Sequence, residues 1–131
     1  MKNIRKPVAP NETEMAVVAN RERMYAKYQG QSLWKSRPFL LCEQGMHKGS
    51  RFFLEPSGTT IGRGTQNLIV LNDPHASETH AVITQTVDGY KIQDENSRNG
   101  LYLNGKKQFN SKLVSGDRVR IGMTLLKVVI P

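Results

Sequence analysis

From residue 38 onward the sequence predicts an all-β domain, an antiparallel sandwich or barrel. Three observations predict it. Short runs rich in β-branched and aromatic residues recur along the whole stretch. Turn-forming residues separate them. Val119 and Ile121 alternate with Arg118 and Arg120, the period of a strand with one wet face. Many short strands with such punctuation are the pattern of sandwiches and barrels.

Residues 1–37 come first and differ in texture. Residues 1–10 carry prolines and charges and read as an unstructured start. Residues 14–29 could form one short amphipathic helix. Asn11 with Glu14 resembles a capping box, Met15, Val18 and Tyr25 share a face with Glu22 and Gln29, and Gly30 is a fitting stop. The composition changes at Pro38. Strands are expected at Pro38–Glu43, Arg51–Leu54, Thr59–Gly62, Leu68–Leu71, His80–Thr86, Tyr90–Asp94, Leu101–Leu103, Asp117–Ile121 and Leu125–Ile130. Turn signals stand between them: Gly45, Pro56-Ser57-Gly58, Asp73-Pro74, Asp88-Gly89, Asn99-Gly100, Asn104-Gly105 and Ser115-Gly116. Asp88-Gly89 and Asn104-Gly105 predict hairpins, because both residue types reach positive φ at low cost.

A chain of 131 residues suits one domain with an extension. Cys42 is the single cysteine, so no internal disulfide forms, which fits a reducing, cytoplasmic setting. No apolar run approaches the roughly 20 residues that cross a bilayer, and no membrane association is expected. The net charge is +8. Residues 1–37 hold 8 Lys/Arg and 3 Asp/Glu, or +5, and residues 38–131 hold 11 and 8, or +3. A basic extension attracts nucleic acid, anionic lipid or acidic partners, and it also simply keeps a protein soluble. A nucleic-acid module is the alternative this charge raises. Against it, Phe52, Phe53 and Tyr90 fall at strand positions and are not interleaved with basic residues, so no nucleic acid is expected. No carboxylate pair, His/Cys metal spacing, Gly-rich nucleotide loop or nucleophile elbow is present. The sequence therefore points away from an enzyme and calls for no cofactor and no metal.

Three segments carry the chemistry. Ile61-Gly62-Arg63 is a strand ending in glycine and arginine. Asp73-Pro74-His75-Ala76-Ser77-Glu78-Thr79-His80 is a loop running into a strand. Asp94-Glu95-Asn96-Ser97-Arg98-Asn99-Gly100 is a loop with Asn104-Gly105 close behind. Arginine offers a planar fork of donors suited to phosphate, and a serine hydroxyl donates a short bond to a phosphate oxygen. An asparagine side chain both donates to and accepts from a peptide main chain. Each residue also has a plain reading: a solvated arginine, a turn-capping serine, an asparagine present for its turn. His80 begins a strand, so it and Ser77, three residues apart, point to opposite faces and do not form a catalytic dyad. His47 and His75 read as exposed loop residues.

In order and spacing these segments resemble the forkhead-associated (FHA) family: Gly-Arg, then Ser-x-x-His, then Ser-x-Asn-Gly and a second Asn-Gly. The resemblance runs from Pro38 to the last residue and includes the aliphatic runs Leu68–Leu71 and Ala81–Ile83. It implies an FHA-type sandwich of two antiparallel sheets whose loops at 62–67, 72–79 and 94–100 meet at one edge, which a simple meander would not give. It implies recognition of phosphothreonine in a partner segment. Arg63 and Ser77 would hold the phosphate, with Arg98 as a second positive charge. Asn99, with Glu78 beside Ser77, would face the bound peptide's backbone. Gly62, His80, Gly100 and Asn104 would support the loops from behind. Glu78 departs from the family pattern, since a carboxylate repels a dianion unless it turns away or pairs with a base. An FHA scaffold working without phosphate is the remaining alternative. The resemblance further suggests the N-terminal sensory module of a bacterial signalling protein, downstream of a Ser/Thr kinase, with a diguanylate cyclase as one conceivable output. Thr13 is the only threonine before Thr59 and lies in a polar stretch. Its phosphorylated form is an expected ligand in cis or from a neighbouring copy. The 25 residues from Thr13 to Pro38 span up to ~80 Å, well beyond the ~13 Å radius of gyration of such a domain.

Overall fold

A computed structural model describes residues 37–131. Thr13 and the helix expected at 14–29 lie outside the described residues. Within them the chain forms eleven strands in two sheets and no helix. The strands are β1 (Phe39–Gln44), β2 (Arg51–Phe53), β3 (Thr59–Gly62), β4 (Ile69–Val70), β5 (Ala81–Thr86), β6 (Gly89–Asp94), β7 (Leu101–Leu103), β8 (Lys106–Gln108), β9 (Asn110–Leu113), β10 (Arg118–Ile121) and β11 (Thr124–Val129). The larger sheet has the order β2-β1-β11-β10-β7-β8 and the smaller β4-β3-β5-β6-β9. The chain passes between sheets after β2, β6, β8 and β9.

Side-chain alternation builds the core. On β11, Thr124, Leu126 and Val128 are buried while Leu125, Lys127 and Val129 face outward. On β10, Val119 and Ile121 point in and Arg118 and Arg120 point out, as the sequence pattern requires. Ile61, Ala81, Ile83, Ile92 and Leu113 from the smaller sheet meet Leu40, Leu101, Val119, Ile121, Leu126 and Val128 from the larger. Each fully buried Leu or Ile contributes about 1.5–3 kcal/mol of transfer free energy.

Four local expectations need correction. β8 and β9 were not anticipated, because Lys106–Gln108 and Asn110–Lys112 carry no apolar alternation; each is the edge strand of its sheet. The β5–β6 hairpin exists, but its two-residue turn is Val87-Asp88, and Gly89 (φ 148°) already pairs with Thr86. The Asn104-Gly105 turn forms as expected, with φ of 51° and 84°. β4 is two residues long and pairs parallel to β3, Ile61 beside Ile69 and Gly62 beside Val70, an exception to the antiparallel pattern. Finally, His47 is half-buried rather than exposed: its ring meets Phe52 edge-on at 5.8 Å, and Nε2 accepts from the Asn72 amide at 2.8 Å.

The parallel β4 answers the convergence problem. The chain leaves β3 at Gly62, loops back, and runs up beside it again, so segments 63–68 and 71–80 both contact the same strand end. β5 starts there and β6 ends there, with Ala81 opposite both Ile61 and Asp94. All three motif-bearing loops therefore meet at one edge.

Candidate phosphopeptide-binding site

The first two loops are joined by backbone pairs, and the third is held mainly by side chains. Arg63 N donates to Ser77 O (2.9 Å) and Gly64 N to Glu78 O (3.0 Å). Such proximity demands Gly62: a Cβ there would lie 2.3 Å from the Glu78 carbonyl oxygen. Its φ is not positive, so close approach and not an unusual backbone angle is what selects glycine. Asn67, buried beneath, donates through Nδ2 to Gly64 O (2.7 Å) and Glu78 O (2.6 Å).

His80 is fully buried beneath the cleft. Its Nδ1 accepts from the Ser77 amide (3.0 Å), so the ring proton sits on Nε2 and is donated to Gly100 O (2.8 Å). One ring thus ties the serine loop to the asparagine loop. Asp73 anchors the other end of the serine loop. Its carboxylate accepts from His75 N, Met123 N and Thr124 Oγ1 at 2.9, 2.8 and 2.7 Å. Burial pushes this carboxyl up, but the bonds from Thr124, His75 and Met123 outweigh burial and hold it below its ordinary range. Ser97 shapes the asparagine loop by bonding Asp94 and accepting from Gly100 N (3.1 Å).

Above this frame lies a cleft of about 450 Å³ lined by Arg63, Pro74, His75, Ala76, Ser77, Glu78, Arg98 and Asn99. Arg63 Nε donates to Ala76 O (3.0 Å), which aims the guanidinium across the cleft. Its Nη1 meets Glu78 Oε2 at 3.4 Å. Ser77 Oγ accepts from Arg98 N (2.9 Å), which leaves its hydroxyl proton available to an anion. Asn99 Nδ2 donates to His75 O (2.8 Å), bridging the cleft mouth. Two arginines, a hydroxyl and a carboxamide in one polar cleft can receive a phosphorylated side chain and its backbone.

Arg63, Ser77, Glu78, Arg98 and Asn99 are thus brought together, with Gly62, His80 and Gly100 behind them. Two residues stand apart from the expected roles. Asn104 sits at the far end of β7 from Gly100 and fastens the β7–β8 turn to β10, donating to Asp117 Oδ1 (3.0 Å) and accepting from Arg118 N (2.9 Å). Glu78 is paired with Arg63 and is in contact range of the Gly64 position, where a Cβ would lie 2.4 Å from its Oε1. The loop-building roles of Asp73, Asn67, Asp94 and Ser97 were not foreseen. Asp94-x-x-Ser97 is a local turn pattern that could have shown one of them; Asn67 has no such signal.

Comparison with known proteins agrees with this geometry. The model of the FHA domain matches residues 59–122. The chain is 36% identical over 83 residues to an oxoglutarate dehydrogenase inhibitor of Corynebacterium jeikeium, covering 63% of this chain and 58% of that protein. It is 30% identical over 112 residues to the glycogen accumulation regulator GarA of Mycolicibacterium smegmatis, covering 86% and 70%. Mycobacterium tuberculosis EmbR, solved in complex with a low-affinity phosphopeptide, superposes with a TM-score of 0.66 at 30% identity, over 72% of this chain and 24% of that one. The chain spans somewhat more than half the length of the corynebacterial relative. By motif order, sheet topology and these likenesses, the chain belongs to the FHA-domain family.

Proposed function

We propose that this chain is a phosphothreonine-dependent recognition module. The observation that carries the reading is the convergence of Arg63, Ser77, Arg98 and Asn99 on one cleft. Arg63 and Ser77 hold the phosphate, Arg98 adds charge, and Asn99 exchanges its bond to His75 for one to the peptide backbone. The ligand is a phosphothreonine segment written by a Ser/Thr kinase. The named relatives are a dehydrogenase inhibitor and a metabolic regulator, which favours a cytoplasmic regulator acting on another protein over a fused diguanylate cyclase output.

The chain's own phosphorylated Thr13 is one such ligand in this proposal. A tether of this length gives an effective concentration near ~1 mM, so even a weak interaction is occupied. One observation favours the second reading, a scaffold indifferent to phosphate: the Arg63 guanidinium already has a carboxylate partner in Glu78.

Titration calorimetry separates the two. A peptide of residues 8–20 phosphorylated on Thr13 should bind residues 38–131, and the unphosphorylated peptide should not. Arg63→Ala should cost about 2–5 kcal/mol of binding without loss of fold. Equal affinity for both peptides would sink phosphate reading; failure of this peptide while other phosphothreonine peptides bind would remove only Thr13.

A further inference from the structure

The larger sheet offers a second surface, remote in chemistry from the phosphate cleft. On its outward face Leu41 and Glu43 alternate with buried Leu40 and Cys42, and Leu125 and Lys127 alternate with buried Leu126 and Val128. The register sets Arg120 opposite Leu125 and Tyr102, and Lys127 opposite Leu41 and Arg118. A groove of about 380 Å³ lies there, walled by Tyr102, Arg118, Arg120 and Leu125.

Charge is concentrated on this face. Arg51 pairs across from Leu41 and Lys107 from Tyr102, so both share its side of the sheet. Arg51, Lys107, Arg118, Arg120 and Lys127 stand against Glu43 alone, five cations less one acid, or +4. Residues 38–131 sum to only +3, so the rest of this span is net −1. The smaller sheet's outward positions are instead mostly uncharged: Thr60, Val82, Thr84 and Gln93, with Lys91 and Lys112.

We propose that this face docks an acidic protein segment bearing apolar side chains. An apolar side chain enters the groove between Tyr102 and Leu125, and neighbouring carboxylates meet Arg120 and Lys127. The face already shows how a carboxylate seats: Glu43 bonds Arg118 Nε and Nη2 at 2.8 and 3.3 Å. A second copy is disfavoured because two +4 faces would meet. The chain's own residues 1–37 are net +5 and are disfavoured likewise. A lipid surface needs apolar groups that protrude, whereas Leu41, Leu125 and Tyr102 are half-buried. Nucleic acid is held by successive aromatic platforms along a basic groove, and Tyr102 is the one aromatic residue among those lining this groove.

The test is an amide-resolved NMR titration of the full chain. The probe is a synthetic amphipathic helix of leucine and glutamate. Controls are the same peptide with glutamine for glutamate, phosphatidylglycerol vesicles and duplex DNA. Saturable shifts confined to β1, β7, β10 and β11 are expected with the acidic peptide, and about tenfold weaker binding with the glutamine peptide. The double variant Arg120→Glu/Lys127→Glu should abolish the shifts, and Arg120→Gln/Lys127→Gln should weaken them should the first fail to fold. Both should bind a phosphothreonine peptide as the parent does. Equal binding of the two peptides, shifts elsewhere, or binding of vesicles or DNA in place of the peptide would overturn the proposal.

Discussion

Gly62 shows how much of the site depends on a missing atom. A Cβ 2.3 Å from the Glu78 carbonyl oxygen cannot be accommodated by a side-chain rotation, since the obstacle is backbone. Gly62→Ala should therefore cost about 1–3 kcal/mol in chemical denaturation and weaken phosphopeptide binding by parting the two loops. Asp73 makes a second prediction. Its carboxyl lies below the ordinary range when folded, so its contribution is present above the unfolded carboxylate's pKa. That contribution is lost as pH falls through the lower folded value. Asp73→Asn should remove about 1–3 kcal/mol at neutral pH and flatten the acid limb of the stability profile. An unchanged acid limb would show that Asp73 is not the group responsible. Arg63, Ser77, His80 and Asn99 were legible because their spacing forms a pattern within short segments. Asp73 was legible only as a turn, since its partner Thr124 lies 51 residues away.

Strands were legible where apolar alternation marks them, as in β1, β5, β10 and β11. They were illegible where it fails: β8 and β9 are edge strands of lysine, glutamine, asparagine and serine up to the buried Leu113, formed because their neighbours present open hydrogen-bonding edges. The parallel placement of β4 was equally hidden, because direction is a property of the returning loop and not of Ile69-Val70. The β7–β8 turn makes a prediction at this scale. Asn104 holds φ at 51°, and its side chain ties the turn to Asp117 and Arg118 through two bonds. Asn104→Ala should cost about 1–3 kcal/mol. Asn104→Gly should recover only the backbone part, which thermal unfolding of the pair would read.

Across the whole molecule, charge is sorted by place: an N-terminal +5, and a +4 sheet face on a body of net +3. Phosphorylation of Thr13 would place a dianion on that basic segment. A full chain phosphorylated at Thr13 should then bind an added phosphothreonine peptide more weakly than its unphosphorylated form, because the tethered copy competes. Equal affinity in the two forms would rule out self-occupancy. The convergence of three loops on one edge was legible only through family resemblance; short-range pattern gives strand positions but not the crossings between sheets.

If the cleft reads phosphate as proposed, the Arg63–Glu78 pair makes it an ion exchanger. On the proposed reading, a phosphate arriving at Arg63 swaps for a carboxylate that the protein itself supplies, with Arg98 standing in the same cleft as a second cation. The pair is largely solvated, with the two side chains 46% and 66% exposed, so the swap is easy. Added salt weakens the outgoing bond along with the incoming one, and it screens Glu78 from the dianion. Affinity should therefore decline gently with ionic strength. Glu78→Gln should bind more tightly in dilute buffer yet lose affinity more steeply as salt rises. Parallel salt slopes for the two proteins would show that Glu78 plays no part in the exchange.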